Sequence, residues 1–579
     1  MKYDNYEQFR EDMMRGYVLA FKKYVLEVPG GVVKVEEIPH KKVAVVNGGG
    51  SGHYPAFYGF IGQGGMDGTA VGSIFSSPSA EDVYNVAKEV ENGCGVFIIG
   101  GNYAGDRINF DLARDRLRSE GIDARTFYIT DDIASASIHE MEKRRGNIGT
   151  FTIFKIAGAA SESGYIFDNL VEVVARANRN TKTISVGLQG CRLPWEKTPL
   201  FKVPEGKMEI GQGIHGEPGI FETDLATASE IASLLVEKIL EEKPQNSGNR
   251  IAVILDGLGA TKYEELFVIW KTIAEKFESQ GFELVEPLVG EYVTSLDMEG
   301  IALSVTFLDD ELEKLWIAPM DTPALKREKE IVHAEKRRRI GVEDKKYCYK
   351  DISSERCTEA GYVVGAFEEI QRVLRTNETY LAQIDSVAGD GDHGRGMVKG
   401  SYYALKAAEE VYQEGADAGT CIIAAGEAWA SKAGGTSGVL WGNALITIGN
   451  MILNHSRDDD VRYVGEAVSK SIDKIQELGG AKIGDKTILD SLIPFANVLI
   501  VAIKQEKNLL QAWTEAAEVA EEKAYETKNL LPKVGRARPQ AERSFGTPDA
   551  GAVSFAICMK AIAQYMRKIE EKYNNDNAF

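Results

Sequence analysis

Over its first half the chain alternates short apolar, β-branched runs with longer amphipathic ones. Lys42–Val46, Gly95–Ile99, Thr126–Thr130, Thr150–Ile156, Thr183–Leu188 and Ile251–Leu255 each read as strands. Runs such as Arg107–Ser119 place apolar residues at helical spacing between them. Strands separated by helices predict an α/β fold with mostly parallel sheets, divided into two subdomains. Two strands run into glycine-rich segments, NGGGSGH and GGNYAGD. Those loops are therefore expected at strand C-terminal ends, where open α/β sheets bind ligands.

The pattern changes near residue 325. A dense charge run, LKREKEIVHAEKRRRIGVEDKKYCYK, reads as an interdomain linker or as one solvated helix. Beyond it Val363, Phe367, Ile370 and Leu374 recur at helical spacing, as do Leu510, Trp513, Ala517 and Ala520, and later Ile562, Tyr565 and Ile569. The reading is an α/β domain over 1–324, a linker over 325–356 and an all-helical domain over 357–579.

Composition narrows the function. The net charge of -20 disfavours nucleic acid and anionic membrane as partners. The six cysteines form no CxxC pair, which fits a reducing cytoplasm and neither a zinc site nor a disulfide framework. The polar, acidic N-terminus resembles no targeting segment, and the longest apolar stretches, such as Pro494–Ile503, are too short to span a bilayer.

Several motifs carry chemistry. NGGGSGHYP, Asn47–Pro55, is neither a P-loop nor a GxGxxG fingerprint; its glycines admit close backbone approach to a ligand, or simply make a tight turn. In GGNYAGDRINF, Asp106 could cap a helix or serve as a base. In GQGIHGEPGI, His215 is set in an exposed-looking loop, either inert or placed to attack or hydrogen-bond a carbonyl. In IDSVAGDGDHG, Asp385, Asp390 and Asp392 crowd together beside His393, as a solvated acidic turn or as oxygen ligands for Mg²⁺. AGGTSGVLWG offers small residues and the Thr436 and Ser437 hydroxyls to an anion at a helix start. GDKTILDSL follows, and then Arg536, Arg538 and Arg543, each a phosphate clamp or a surface arginine. A small polar pocket with His and Asp, together with a carboxylate–metal–phosphate site, suits phosphoryl transfer.

Taken together, these motifs resemble the single-chain dihydroxyacetone kinase family over nearly the whole length apart from the linker. GGGSGH, NYxGDRxNF, GIHGEPG and YVTSLDMEG look like its substrate domain, and DxxxGDGDHG, GGTSG, GDKTxLD, GRA and ERSxG like its nucleotide domain, in order. The resemblance implies an eight-helix barrel for the second domain and an ATP-dependent kinase acting on dihydroxyacetone. It implies a substrate hemiaminal on His215, with Asp106 as base on the attacking hydroxyl and His53 assisting. Gly50, Ser51, Gly52, Tyr54, Gly101 and Asn102 would bind the sugar. Asp385, Asp390 and Asp392 would hold Mg²⁺; Gly434, Gly435, Thr436, Ser437 and Gly438, with His393 and Arg536, would hold ATP. A homodimer with exchanged domains is also implied. The chain departs from the family at Tyr54, where Glu is usual, and at Gly101, where Lys is usual. A lost lysine makes room for a longer ketose, so a four-carbon erythrulose is the alternative substrate, with glyceraldehyde a further rival. FAD cyclisation, known for some fused relatives, is a possible side activity. A non-catalytic ketose-binding regulator is the alternative from another class, and the intact aspartate triplet argues against it.

Overall fold

In a computed structural model, the protein divides into two compact units, Met1–Lys336 and Arg337–Phe579. The structure describes residues 3, 8–36, 41–245, 247–328, 354–387, 389–433, 435–454, 461–534 and 541–576. Most of the expected linker lies outside the described residues.

The first unit holds two main sheets. One comprises β1 (Val25–Val28), β2 (Gly31–Lys34), β3 (Ala44–Ser51), β4 (Gly68–Ile74), β5 (Val96–Gly101) and β6 (Ala124–Ile129), in the order β1-β2-β4-β3-β5-β6. From β4 to β6 the pairing is parallel, whereas β1 and β2 add an antiparallel edge. β5 is buried at every position, as its unbroken apolar sequence requires of a strand covered on both faces.

The second sheet comprises β7 (Thr181–Gly187), β8 (Lys207–Ile210), β9 (Phe221–Asp224), β10 (Arg250–Gly257), β11 (Glu283–Leu284), β12 (Leu288–Gly290) and β13 (Gly300–Phe307). The expectation of mostly parallel sheets fails here. β13 inserts between β10 and β7 and runs antiparallel to both, and β7, β8 and β9 form an antiparallel meander. All eight residues of β13 are buried. Its sequence still alternates, Leu303, Val305 and Phe307 with Ser304 and Thr306, although both faces are covered.

Helices α1 (Phe9–Phe21), α2 (Ala80–Val90), α3 (Ala104–Ser119), α4 (Thr150–Glu162), α5 (Phe167–Asn180), α6 (Ala228–Glu241), α7 (Tyr263–Ser279) and α8 (Asp310–Ile317) complete the unit. α4 corrects a second expectation, since Thr150–Ile156 is helix and not strand. Its first twelve residues, Thr150–Ser161, are all buried. A helix apolar on every side has no amphipathic period, and its β-branched start imitates a strand.

The second unit is all-helical among the described residues: α9 (Ser354–Thr376), α10 (Glu378–Asp385), α11 (His393–Gln413), α12 (Ala418–Ala433), α13 (Gly435–Leu453), α14 (Arg462–Gly479), α15 (Leu489–Lys504), α16 (Leu509–Glu526) and α17 (Ala550–Asp576). That is nine helices where eight were expected; α10 is a short extra one beside α11. Each long helix packs on the next, and α17 packs back on α9. Phe367, Trp429, Trp441, Phe495 and Phe555 fill the core, with Trp429 and Trp441 stacked 5.2 Å apart. No helix among the described residues is long and apolar enough to cross a membrane.

Candidate active site

β3 and β5 are neighbours, so the segments leaving their C-terminal ends lie side by side. Gly48, Gly49 and Gly50 of NGGGSGH belong to β3 itself, and Gly52 and His53 follow the strand. A side chain at residue 49 would strike the Phe57 ring at 2.1 Å, and one at residue 50 would meet the Phe75–Ser76 backbone at 2.7 Å. The bare backbone of β3 therefore forms one wall of a small cavity, opposite Gly101, Tyr103 and Asp106 and closed by His215 from the loop between β8 and β9.

Asp106 lies in the first turn of α3. Tyr103, not Asp106, is the N-cap residue, so the capping role considered from the sequence is not the one it takes. The carboxyl is 8% exposed, and Oδ1 has no hydrogen-bond partner. Burial raises it to about 6, against the lowering effects of the Ser77 side chain and of His215. Such a carboxyl is a stronger base than a solvated one and is still largely ionised at neutral pH.

The two histidines meet edge to edge, with His53 Nε2 3.0 Å from His215 Nε2. His53 Nδ1 lies 2.6 Å from the Thr294 carbonyl oxygen, to which it must donate. His215 Nδ1 lies 2.9 Å from Glu217 Oε1, and the His215 amide donates to Glu217 Oε2 at 3.0 Å. Both Nδ1 atoms are thus donors, and the Nε2–Nε2 contact closes only when one proton lies between them. Burial, then His215, holds His53 down to about 3, which makes it the neutral acceptor of that proton. Burial would raise the Glu217 carboxyl, but the hydrogen bond and charge of His215 and the nearby Arg145 bring it down to about 2. Phe75 stacks on His53 at 4.9 Å, and Tyr103 sits edge-on to His215 at 5.0 Å.

The YVTSLDMEG segment joins these loops. Besides the Thr294 carbonyl on His53, the Leu296 amide donates to Gly52 O, Ser295 Oγ binds Ile214 O, and Val293 lines the cavity. Of the expected substrate residues, Gly50 and Gly101 also line the cavity; Ser51, Gly52, Tyr54 and Asn102 do not. Tyr54 turns away to pack on Tyr17 and Tyr58. Asn102 binds the carbonyls of Glu142 and Arg144 and so braces a loop. Ser51 is buried behind the wall with an unpartnered hydroxyl. Asn147, Thr150, Tyr103 and Glu217 were not singled out from sequence; Glu217 could have been, as the one acid two residues beyond the loop histidine.

In the helical unit a cavity of about 320 Å³ is lined by Asp385, Asp390, Asp392, His393, Thr436, Ser437 and Gly438 with apolar neighbours such as Trp441. Asp385 ends α10, Asp392 precedes α11, and Thr436 and Ser437 lie in the first turn of α13, not in a loop before it. The three carboxylates offer oxygens within 4.8 Å of one another. A six-coordinate Mg²⁺ with bonds of about 2.0–2.1 Å fits that span after small rotations. Gly391 N donates to Asp385 Oδ2 at 2.9 Å. His393 Nε2 contacts Ser554 Oγ at 2.9 Å, and Ser437 Oγ lies 3.4 Å from its Nδ1. Burial lowers His393, so the ring is a neutral bridge between two hydroxyls. Lys486 adds an ammonium to the lining, its Nζ held by Ser544 O at 2.8 Å. Gly434 and Arg536 lie outside the described residues.

Comparison with known proteins agrees with this arrangement. The Dak1 domain model matches residues 15–324 and the DAK2 domain model residues 387–564. The chain belongs to the single-chain dihydroxyacetone kinase family. It is 49% identical to a D-erythrulose kinase of Mycolicibacterium smegmatis, over 96% of this chain and 97% of that one. It is 44% identical to an L-erythrulose kinase of Pectobacterium atrosepticum, over 96% and 94%. The dihydroxyacetone kinase of C. freundii in complex with AMP-PNP and Mg²⁺ superposes with a TM-score of 0.56 at 28% identity, covering 97% of this chain and 99% of that one.

Proposed function

We propose that this protein is an ATP-dependent kinase that phosphorylates a terminal hydroxyl of erythrulose, holding the ketose as a hemiaminal on His215. The observation that carries the chemistry is the shared-proton contact of His53 and His215 beside a buried, unpartnered carboxylate oxygen of Asp106. The substrate follows from the relatives: those at 44–49% identity carry erythrulose in their names, against 28% for the C. freundii dihydroxyacetone kinase. The dihydroxyacetone expected from sequence thus gives way to the four-carbon alternative.

In this reading His215 Nε2 attacks the ketone carbon. The proton held between the imidazoles passes through His53 to the carbonyl oxygen, which becomes the hemiaminal hydroxyl. Glu217 keeps Nδ1 protonated and the ring aimed. The tethered substrate presents its terminal hydroxyl to Asp106, which takes the proton as the oxygen attacks the terminal phosphate. Asp385, Asp390 and Asp392 would hold Mg²⁺, which supplies charge neutralisation on the phosphates when bound. His393, Thr436 and Ser437 would orient the phosphate chain at the start of α13. A covalent tether selects a carbonyl over a polyol of similar size. The closed order of helix packing supports reading the second unit as a barrel of eight long helices with α10 appended.

The test is ADP release with ATP-Mg²⁺ on D- and L-erythrulose, dihydroxyacetone, glyceraldehyde and glycerol, with His215→Ala alongside. The proposal expects the highest kcat/KM on an erythrulose enantiomer and its loss in the variant. A higher kcat/KM on dihydroxyacetone, or an unaffected variant, contradicts it. Ketose binding without any turnover would favour the regulator reading.

A further inference from the structure

Beyond the histidines, charge alternates in a file running away from the cavity. Glu217 uses Oε1 and Oε2 to hold His215, and Oε2 also faces Arg145 Nη1 at 3.9 Å. The same guanidinium reaches back to Asp132, with Nη2 at 2.9 Å and Nε at 3.2 Å from Oδ2. Asp132 is 1% exposed, and its other oxygen accepts the Ala134 amide at 3.0 Å. Arg145 and Asp132 come from the segment between β6 and α4, and Glu217 from the loop between β8 and β9. The guanidinium therefore fixes the His215 loop to a rigid buried anchor. Gly213 leaves the space for this meeting: a Cβ there would stand 2.1 Å from Glu217 Oε2 and 2.8 Å from Arg145 Nη1. Neither arginine of this segment lines the cavity; the preceding Arg144 pairs through both terminal nitrogens with Glu242, whereas Arg145 faces the carboxylate that holds His215.

We infer that Arg145 is a positioning residue for the covalent step, aiming His215 Nε2 at the ketone by holding Glu217 between the imidazole and the Arg145–Asp132 pair; the inference rests on the hemiaminal reading above. Without the guanidinium, Glu217 keeps its bonds to His215 but loses its anchor, and the imidazole and carboxylate can swing together. A reacting nitrogen displaced by about 1 Å loses on the order of a hundredfold in rate. Hydrogen bonding of a polyol to Asp106 and the β3 wall does not depend on that aim.

The experiment compares native protein with Arg145→Met, Arg145→Lys and His215→Ala. Adduct formation is read by ¹³C NMR of erythrulose labelled at the carbonyl carbon, and polyol affinity by glycerol as a competitive inhibitor. Arg145→Met should lower adduct population by about tenfold or more at a fixed subsaturating ketose concentration. Its glycerol inhibition constant should stay within about twofold, and Arg145→Lys should recover only part of the adduct, because a single ammonium cannot serve Asp132 and Glu217 as the guanidinium fork does. Should Arg145→Met fail to fold, Arg145→Gln takes its place, since it removes the charge that faces Glu217 and keeps an amide donor for Asp132. Native adduct levels in Arg145→Met, or equal losses for ketose and glycerol, would overturn the inference while His215→Ala remained adduct-free. An adduct persisting in His215→Ala would instead bring down the hemiaminal reading itself.

Discussion

Ser77→Ala probes the balance that sets the base. Asp106 stands at about 6 because burial raises it while the Ser77 side chain and the His215 charge restrain the rise. The Ser77 hydroxyl also donates to the Pro78 carbonyl at 3.2 Å, so its hold on Asp106 falls below the ~1.5–3 kcal/mol of a full hydrogen bond to an ionised group, and about 1.36 kcal/mol corresponds to one pKa step. With Asp106 only 8% exposed, solvent recovers little of the loss. The variant's carboxyl should therefore titrate above the native one, by up to about one pKa step. The base form exists above its pKa, so kcat/KM falls as pH drops through that value. The native acid limb is expected near 6, and the Ser77→Ala limb higher by up to about one pH unit. Initial rates of ADP formation at subsaturating erythrulose between about pH 5 and pH 9 give the profile of the free enzyme. Asp106→Asn should abolish the limb and lower kcat by about 10²–10⁴-fold at every pH. A limb that stays in place or moves to lower pH in Ser77→Ala would refute the assignment of Asp106 as the titrating base.

Gly101→Ala places a methyl group 2.9 Å from the Tyr103 ring, so it should lower kcat/KM for erythrulose more than for dihydroxyacetone, checked by the ratio of the two. Asp385→Asn should weaken Mg²⁺ dependence by about tenfold or more, read from rate against Mg²⁺ concentration, while ketose adduct formation is unchanged. Lys155 is fully buried with the Leu315 carbonyl as its hydrogen-bond acceptor, and burial lowers it to about 7. Its unfolded form binds a proton more tightly than its folded form, so its contribution to stability rises with pH from about 7 to the ordinary lysine value. Lys155→Met should stabilise the protein by about 1–4 kcal/mol near pH 7 and flatten that rise, measured by urea unfolding across pH.

The sequence carried the chemistry further than the architecture. His53, Asp106, His215 and the aspartate triplet stand in short segments of unusual composition, and these are the residues the fold brings to two cavities. β3, β5, β6, β7 and β10 were legible because each is a compact β-branched run. The direction of β13 was not: Leu303, Val305 and Phe307 alternate with Ser304 and Thr306, but direction is set by pairing with β10 and β7, and burial of both faces leaves no local sign of those partners. α4 was misread for the related reason that burial on all sides removes helical periodicity. Tyr54 and Asn102 adjoin the key motifs, yet their side chains leave the cavity, since neighbours along a strand or turn point to opposite sides. Arg145 acts from a distant segment that no motif marks, whereas Thr294 lies within YVTSLDMEG but acts through its carbonyl, a role its side chain does not signal.

The glycines that line the cavity from β3 and from the end of β5 give the pocket a one-way evolutionary geometry. Every substitution at Gly49, Gly50 or Gly101 adds atoms where ring or backbone atoms already stand within 3 Å of the new Cβ. No mutation there can enlarge the space, because glycine is already the smallest residue. Acceptance of a bulkier sugar therefore has to arise from trimming the opposite side, at Tyr103, Asn147 or Ile214. Diversification of substrate among descendants of this chain should leave its record at those positions and spare the glycines.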